Sequence, residues 1–133
     1  MCRTFLFIVL VATFLSSCTA TSIYHKQIND TLIIDFVPGT TQVADIAHLK
    51  MAVEWVSKSK AYIHIEGYFC KADTLTNDSE LSLLMKAEDR AFTVYNYFIA
   101  EGIDVTSIYY MAFGGSSTES NCYVKLVRYK KHE

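Results

Sequence analysis

Histidine, cysteine and acidic side chains are present, but their spacing does not assemble a catalytic site. His64 and Cys70 are six residues apart, about 20 Å along an extended strand, which is too far for a nucleophile and its base. The histidines and the acidic residues of the second predicted helix have neither metal-ligand spacing nor a paired acid–base arrangement. They are His25, His48, His64, His132, Asp78, Glu80, Glu88 and Asp89. We therefore expect a non-enzymatic protein without a metal or a cofactor.

A polar loop, KADTLTND, offers groups that could instead bind a ligand. It follows a predicted strand, AYIHIEGY, in which Ile63 and Ile65 alternate with polar residues. It precedes a predicted helix, which Asn77 caps with Glu80 and which Gly102 ends. The apolar stripe of this helix is Leu84, Ala87, Ala91, Val94 and Phe98. Because such folds bind ligands at the carboxyl ends of strands, the loop is the candidate binding region.

The remaining elements complete an α+β pattern. A strand over Thr31 to Phe36 precedes a helix that Thr40 or Thr41 caps and that runs to about Ser57. Two more strands follow, SIYYMAF and CYVKLVRY. The order β-α-β-α-β-β predicts a two-layer sandwich, a mixed four-stranded sheet with two helices on one face. The other face would be rich in tyrosine, either as a solvated surface or as a contact for a protein or a second copy.

The strand, loop and helix resemble the OmpA-like domain shared by OmpA, Pal and MotB. Arg90-Ala91, Val94, Tyr97-Phe98 and Gly102-Ile103 match the second half of that family's helix motif, and the similarity covers roughly residues 32 to 129. The resemblance implies that Arg90 grips the diaminopimelate of the peptidoglycan stem peptide, together with loop groups. Those implied groups are Asp73, Asn77 and Asn121.

The chain departs from the family at this site. Cys70 stands where the family has a strand-end aspartate, and the family's arginine pair is replaced by Cys122 and Tyr123. Leu81-Ser82 precedes Arg90 by five residues more than the motif has, so Arg90 is expected to lie deeper or the helix to start later. The alternative hypothesis is therefore a structural or adaptor protein that has lost peptidoglycan binding and contacts another envelope protein.

The composition and the N-terminal segment indicate which partners and which cellular location to expect. The net charge of −2, without a basic stripe, argues against nucleic acid as a partner. Arg3 and an apolar run to Phe14 are typical of a secretory signal. Leu15-Ser16-Ser17-Cys18 resembles a lipobox, in which Cys18 carries the lipid, such as palmitate; the alternative is a plain signal peptide. We predict a signal peptide over 1–17, a tether over 18–30, an OmpA-like domain over 31–130, and a lipid anchor on the periplasmic side of the outer membrane.

Two thiols remain in the predicted domain, Cys70 and Cys122. An oxidising compartment and the resemblance to the family's sheet favour a disulfide, because the end of the second strand would meet the start of the fourth. Strand parity opposes it, because Cys70 shares the parity of His64 while Cys122 shares that of the core residue Val124. A disulfide and two unpaired, partly buried thiols both stay open.

Overall fold

A computed structural model describes residues 27–76 and 79–130. The predicted signal peptide, Cys18, most of the predicted tether and Asn77 lie outside the described residues, as do His25 and His132. The predictions for those positions remain predictions. In the described part, no helix has the length and the apolar character needed to cross a membrane.

Four strands form one mixed sheet in the order β1-β4-β2-β3. They are β1 (Gln27–Phe36), β2 (Ala61–Phe69), β3 (Ile108–Gly115) and β4 (Cys122–Lys130). β4 lies antiparallel to both β1 and β2, whereas β2 and β3 are parallel. Residues 27–76 and 79–130 also contain three α-helices: α1 (Ile46–Ser57), the short α2 (Lys71–Thr74) and α3 (Glu80–Ala100). The predicted order of strands and main helices is confirmed.

The core lies between the sheet and the two long helices. Strand residues with one parity turn toward the helices, and the stripes of α1 and α3 bury against them. The residues at its centre are Ile34, Ile63, Ile65, Val124, Leu126, Leu49, Ala91, Val94 and Phe98. At Gly67 an added Cβ would lie 1.8 Å from the carbonyl oxygen of Ala87, so α3 crosses β2 in direct backbone contact. The site at the end of β2 is therefore fixed against the middle of α3.

Both helix starts differ from the prediction. The N-cap of α1 is Asp45, whose carboxylate accepts from the N–H of Ala47 at 2.9 Å, and not Thr40 or Thr41. The residues between form a turn in which Val43 bridges to Phe36. Ser79 caps α3 by accepting from the N–H of Ser82 at 3.1 Å, so the predicted capping role of Asn77 is wrong. α1 begins later than predicted because Thr40 is used in the preceding turn, where its hydroxyl donates to the carbonyl oxygen of Val37 and accepts from the N–H of Gln42.

Candidate functional site

Arg90 is the centre of the polar cluster at the end of β2. It sits on the buried face of α3 beside Ala87, Ala91 and Val94, and its side chain has no solvent exposure. Its Nε donates to the carbonyl oxygen of Thr40 at 2.9 Å, and its Nη1 donates to that of Tyr68 at 3.1 Å. The guanidinium is thus held by backbone groups of the turn after β1 and of the end of β2. Of the two outcomes predicted from the five-residue surplus, the deeper position is the one observed.

Asp73 neutralises Arg90. The two side chains form a bidentate ion pair, with Nη1 to Oδ2 at 2.5 Å and Nη2 to Oδ1 at 2.7 Å, and both are fully buried. Burial by itself raises the pKa of the Asp73 carboxyl, but hydrogen bonds from Arg90 and from the backbone N–H of Cys70 lower it below the ordinary value. Asp73 is therefore a buried carboxylate that serves as the internal partner of Arg90.

The helix α2 explains how a loop carboxylate reaches the core. The chain turns at Cys70, the N-cap of α2, and Asp73 lies three residues later. The Asp73 Oδ2 accepts from the N–H of Cys70 at 2.9 Å, which satisfies a free amide at the start of the helix. This one-turn helix was predicted as a loop, because four residues show no helical period.

Cys70 and Cys122 form a disulfide in the structure, with 5.0 Å between their Cα atoms. Both are buried. The parity conflict disappears because β2 ends at Phe69, and the turn into α2 brings Cys70 to the helix-covered face where Cys122 lies. Together with Asp73, these residues form a group that could ligate a metal, but the two sulfur atoms are bonded to each other.

The three predicted ligand-binding residues that the structure describes do not form one open site. Arg90 and Asp73 come together, but each satisfies the other and neither reaches the surface. Asn121 is exposed and lines a shallow cavity of about 220 Å³ with Asp35, Glu119 and Tyr123 among its walls. Asn77 lies outside the described residues. Binding of a stem peptide by Arg90 would require an accessible guanidinium at the strand end. In the structure the Arg90 guanidinium is buried.

An aromatic cluster covers the open face of the sheet near the same end. Tyr68 stacks on Tyr123 with 4.8 Å between ring centroids and contacts Phe113 at 5.6 Å. Its hydroxyl donates to Oε2 of Glu66 at 2.9 Å. Burial, followed by that hydrogen bond and the charge of Glu66, raises the pKa of the Tyr68 phenol far above its ordinary value. A cavity of about 190 Å³ lies beside these rings and is bounded by Glu119.

The buried pair has a signal in the sequence, the position of Arg90 on its helix. Arg90 is three residues after Ala87 and four before Val94, so it falls inside the apolar stripe of α3. A charge in such a stripe needs a buried counter-charge, and the adjoining loop offers the acids Asp73 and Asp78. A second missed cluster joins Arg128 to Asp30 and places the guanidinium 3.8 Å from the ring centroid of Trp55. This contact explains the packing of Trp55 at the edge of the core.

Solved structures share this architecture. The periplasmic domain of Helicobacter pylori MotB is 14% identical with a TM-score of 0.59, over 82% of this chain and 87% of that one. The OmpA-like domain of FopA1 from Francisella tularensis is 15% identical with a TM-score of 0.54, over 82% of each chain. The cell wall anchor of the T6SS from Pseudomonas aeruginosa is 13% identical with a TM-score of 0.59, over 90% and 96%. No protein-family model and no curated protein matches the chain. The predicted OmpA-like fold is confirmed.

Proposed function

We propose that a chain with this OmpA-like fold serves as a non-enzymatic lipoprotein of the cell envelope. In this proposal Cys18 carries the lipid, and the domain stands on the periplasmic side of the outer membrane. The support comes from the apolar N-terminal segment, the Leu15-Ser16-Ser17-Cys18 sequence and the fold shared with the OmpA-like domain of FopA1. Incorporation of labelled palmitate into the wild type, and its loss in Cys18→Ala, tests the anchor.

The proposed role of the domain is that of an adaptor that contacts another envelope protein. The observation that carries it is the full burial of the Arg90–Asp73 pair. Separating a buried ion pair leaves an uncompensated charge, and truncating one partner typically costs about 3–5 kcal/mol. An incoming carboxylate would have to displace Asp73 and reach Arg90 through the core. A protein contact on the open sheet face needs no such opening.

The open face has the chemistry for such a contact. Tyr109, Met111 and Phe113 are exposed there and continue the aromatic cluster around Tyr68 and Tyr123. Tyrosine and phenylalanine are enriched in protein interfaces, since they bury a large apolar area and, in tyrosine, keep a polar tip.

Two measurements separate this role from wall binding. The full chain, solubilised from membranes, is incubated with purified peptidoglycan and sedimented; an adaptor stays in the supernatant. Crosslinking in intact envelopes should then recover a protein partner. Sedimentation with peptidoglycan, together with crosslinking that yields no protein partner, would rule out the adaptor role.

Non-covalent binding of peptidoglycan stem peptide is the second candidate. It is favoured by the fold shared with a structure described as a cell wall anchor and by the position of Arg90 in the helix motif. In this case wild-type binding should be competed by free diaminopimelate. Asp73→Asn removes the internal partner of Arg90, so protein that circular dichroism shows to be folded should bind more strongly in the competed assay, whereas Asp89→Asn, an exposed control on α3, should leave binding unchanged.

A further inference from the structure

The sheet has two edges, and among the described residues another segment covers only one end of one of them, at Asp35–Val37 of β1. Outside β1, the segment Gln42–Ala44 runs alongside: the N–H of Val37 donates to Gln42 O at 2.8 Å, that of Ala44 donates to Asp35 O at 2.9 Å, and Val43 bridges to Phe36. β3 forms the other edge and pairs with β2 alone among the described strands. Exposed edge strands present a row of backbone donors and acceptors to other chains.

The composition of β3 provides none of the usual side-chain protection against pairing. Its sequence, IYYMAFGG, contains no charged residue and no proline. Natural edge strands commonly carry lysine or proline to prevent association. β1, by contrast, includes the carboxylates of Asp30 and Asp35. Within the described part of the chain, the edge strand without charged side chains is therefore also the one along which no other segment runs, whereas β1 carries carboxylates and is covered at one end.

Apolar side chains lie on both sides of this edge. On the open face Tyr109, Met111 and Phe113 are 47%, 40% and 58% exposed. On the helix side, Phe92 of α3 is 43% exposed and contacts the ring of Tyr110 at 5.2 Å. A strand added to β3 would cover apolar groups above and below the sheet as well as the backbone edge.

We propose that β3 pairs antiparallel with β3 of a second copy, so that the two sheets join into one eight-stranded sheet across a twofold axis. A twofold contact brings the same patch of both copies together. For β3 this is electrostatically permitted, because an uncharged strand meets an uncharged strand. The same pairing through β1 would bring the carboxylates of both copies together. The proposal goes beyond the adaptor role, which concerns a different protein on the open face.

Photo-crosslinking in intact cells tests the arrangement on the full chain. p-Benzoylphenylalanine replaces Tyr109, whose side chain is exposed beside the edge. We expect an adduct of twice the monomer mass in which mass spectrometry links the probe to a β3 peptide. The absence of the dimer adduct, including a result with adducts only to another protein or only to residues 1–26 of the same chain, would overturn the proposal, whereas an adduct with another protein beside the dimer adduct would bear on the adaptor role alone.

A matched pair of variants provides the second test. Met111→Lys places a charge near the middle of β3, and because Met111 is 40% exposed we expect the fold to be retained. Met51→Lys makes the same change on α1, where Met51 is 59% exposed. In detergent, sedimentation velocity should show dimers for wild type and Met51→Lys and at least a tenfold weaker association for Met111→Lys. Equal association of the two variants, with native circular dichroism, would contradict the proposal.

Discussion

The strongest energetic prediction concerns the buried carboxylate of Asp73. Asp73→Asn keeps the size of the side chain but removes the charge that neutralises Arg90, which has no solvent exposure. Leaving a buried cation without its partner costs about 3–5 kcal/mol, a large part of the stability of a small domain. For a domain of this size, that loss corresponds to a decrease in Tm of about 12 °C or more.

The chain contains its own control for this experiment. Asp30 pairs with Arg128, but its side chain is 42% exposed. Water solvates such a pair, so Asp30→Asn should cost no more than about 1 kcal/mol. Urea unfolding followed by circular dichroism measures both variants. Equal losses for Asp73→Asn and Asp30→Asn would refute the reasoning that burial sets the energy of the Arg90 pair.

A double variant separates the pair from simple packing. Arg90→Met removes the cation and leaves the Asp73 carboxylate unpaired, whereas Arg90→Met combined with Asp73→Asn removes both charges. The combined loss should be smaller than the sum of the single losses by about 1–3 kcal/mol, since neither charge is then left alone. Additive losses would show that the two side chains do not interact energetically.

Three further predictions address other parts of the domain. Replacing both Cys70 and Cys122 by serine should lower the free energy of unfolding by about 4 kcal/mol, the chain-entropy value for a disulfide between residues 52 positions apart. Thermal melting measures this loss. If reductant left the stability of the wild type unchanged, the prediction would be contradicted. Gly67→Ala should destabilise the domain by more than about 3 kcal/mol, because the added Cβ would overlap the backbone of α3. A loss of less than about 1 kcal/mol in the free energy of unfolding, measured by urea unfolding, would contradict that close contact. The raised pKa of Tyr68 favours the neutral phenol in the fold, so its stabilisation is complete below pH about 10 and is lost as pH rises through the folded pKa. Ultraviolet titration should show a late-ionising tyrosine that shifts to lower pH in Glu66→Gln, and no shift would exclude their hydrogen bond as a cause.

The fold was predictable because its signals are periodic. Ile63 and Ile65 alternate with polar neighbours, and Ala87, Ala91, Val94 and Phe98 recur at helical steps. Both patterns match the burial in the structure. The helix starts were less predictable, since several residues near each start can accept an amide hydrogen bond. Choosing Asp45 or Ser79 depends on how the preceding loop packs.

The site was less predictable because its geometry depends on contacts between distant segments. The bond from Arg90 to Asp73 spans 17 residues, and the bond to the Thr40 carbonyl spans 50. Neither separation leaves a periodic trace in the sequence. The sequence could not decide whether the disulfide forms, for a related reason. Strand parity holds only while the strand continues, and β2 ends one residue before Cys70. The resemblance identified Arg90 as a functional residue, but it did not predict that Asp73 would form a buried ion pair with it.

The order of the strands also sets the orientation of a chain held from its amino end. Gln27 begins β1, and two strands separate β1 from β3, so these borders lie about 14 Å apart across the sheet. If Cys18 carries the proposed lipid, the domain is attached on the β1 side of the sheet, and β3 lies on the opposite side. Neighbouring molecules on the same lipid surface would then meet side by side, with their distal borders free to meet.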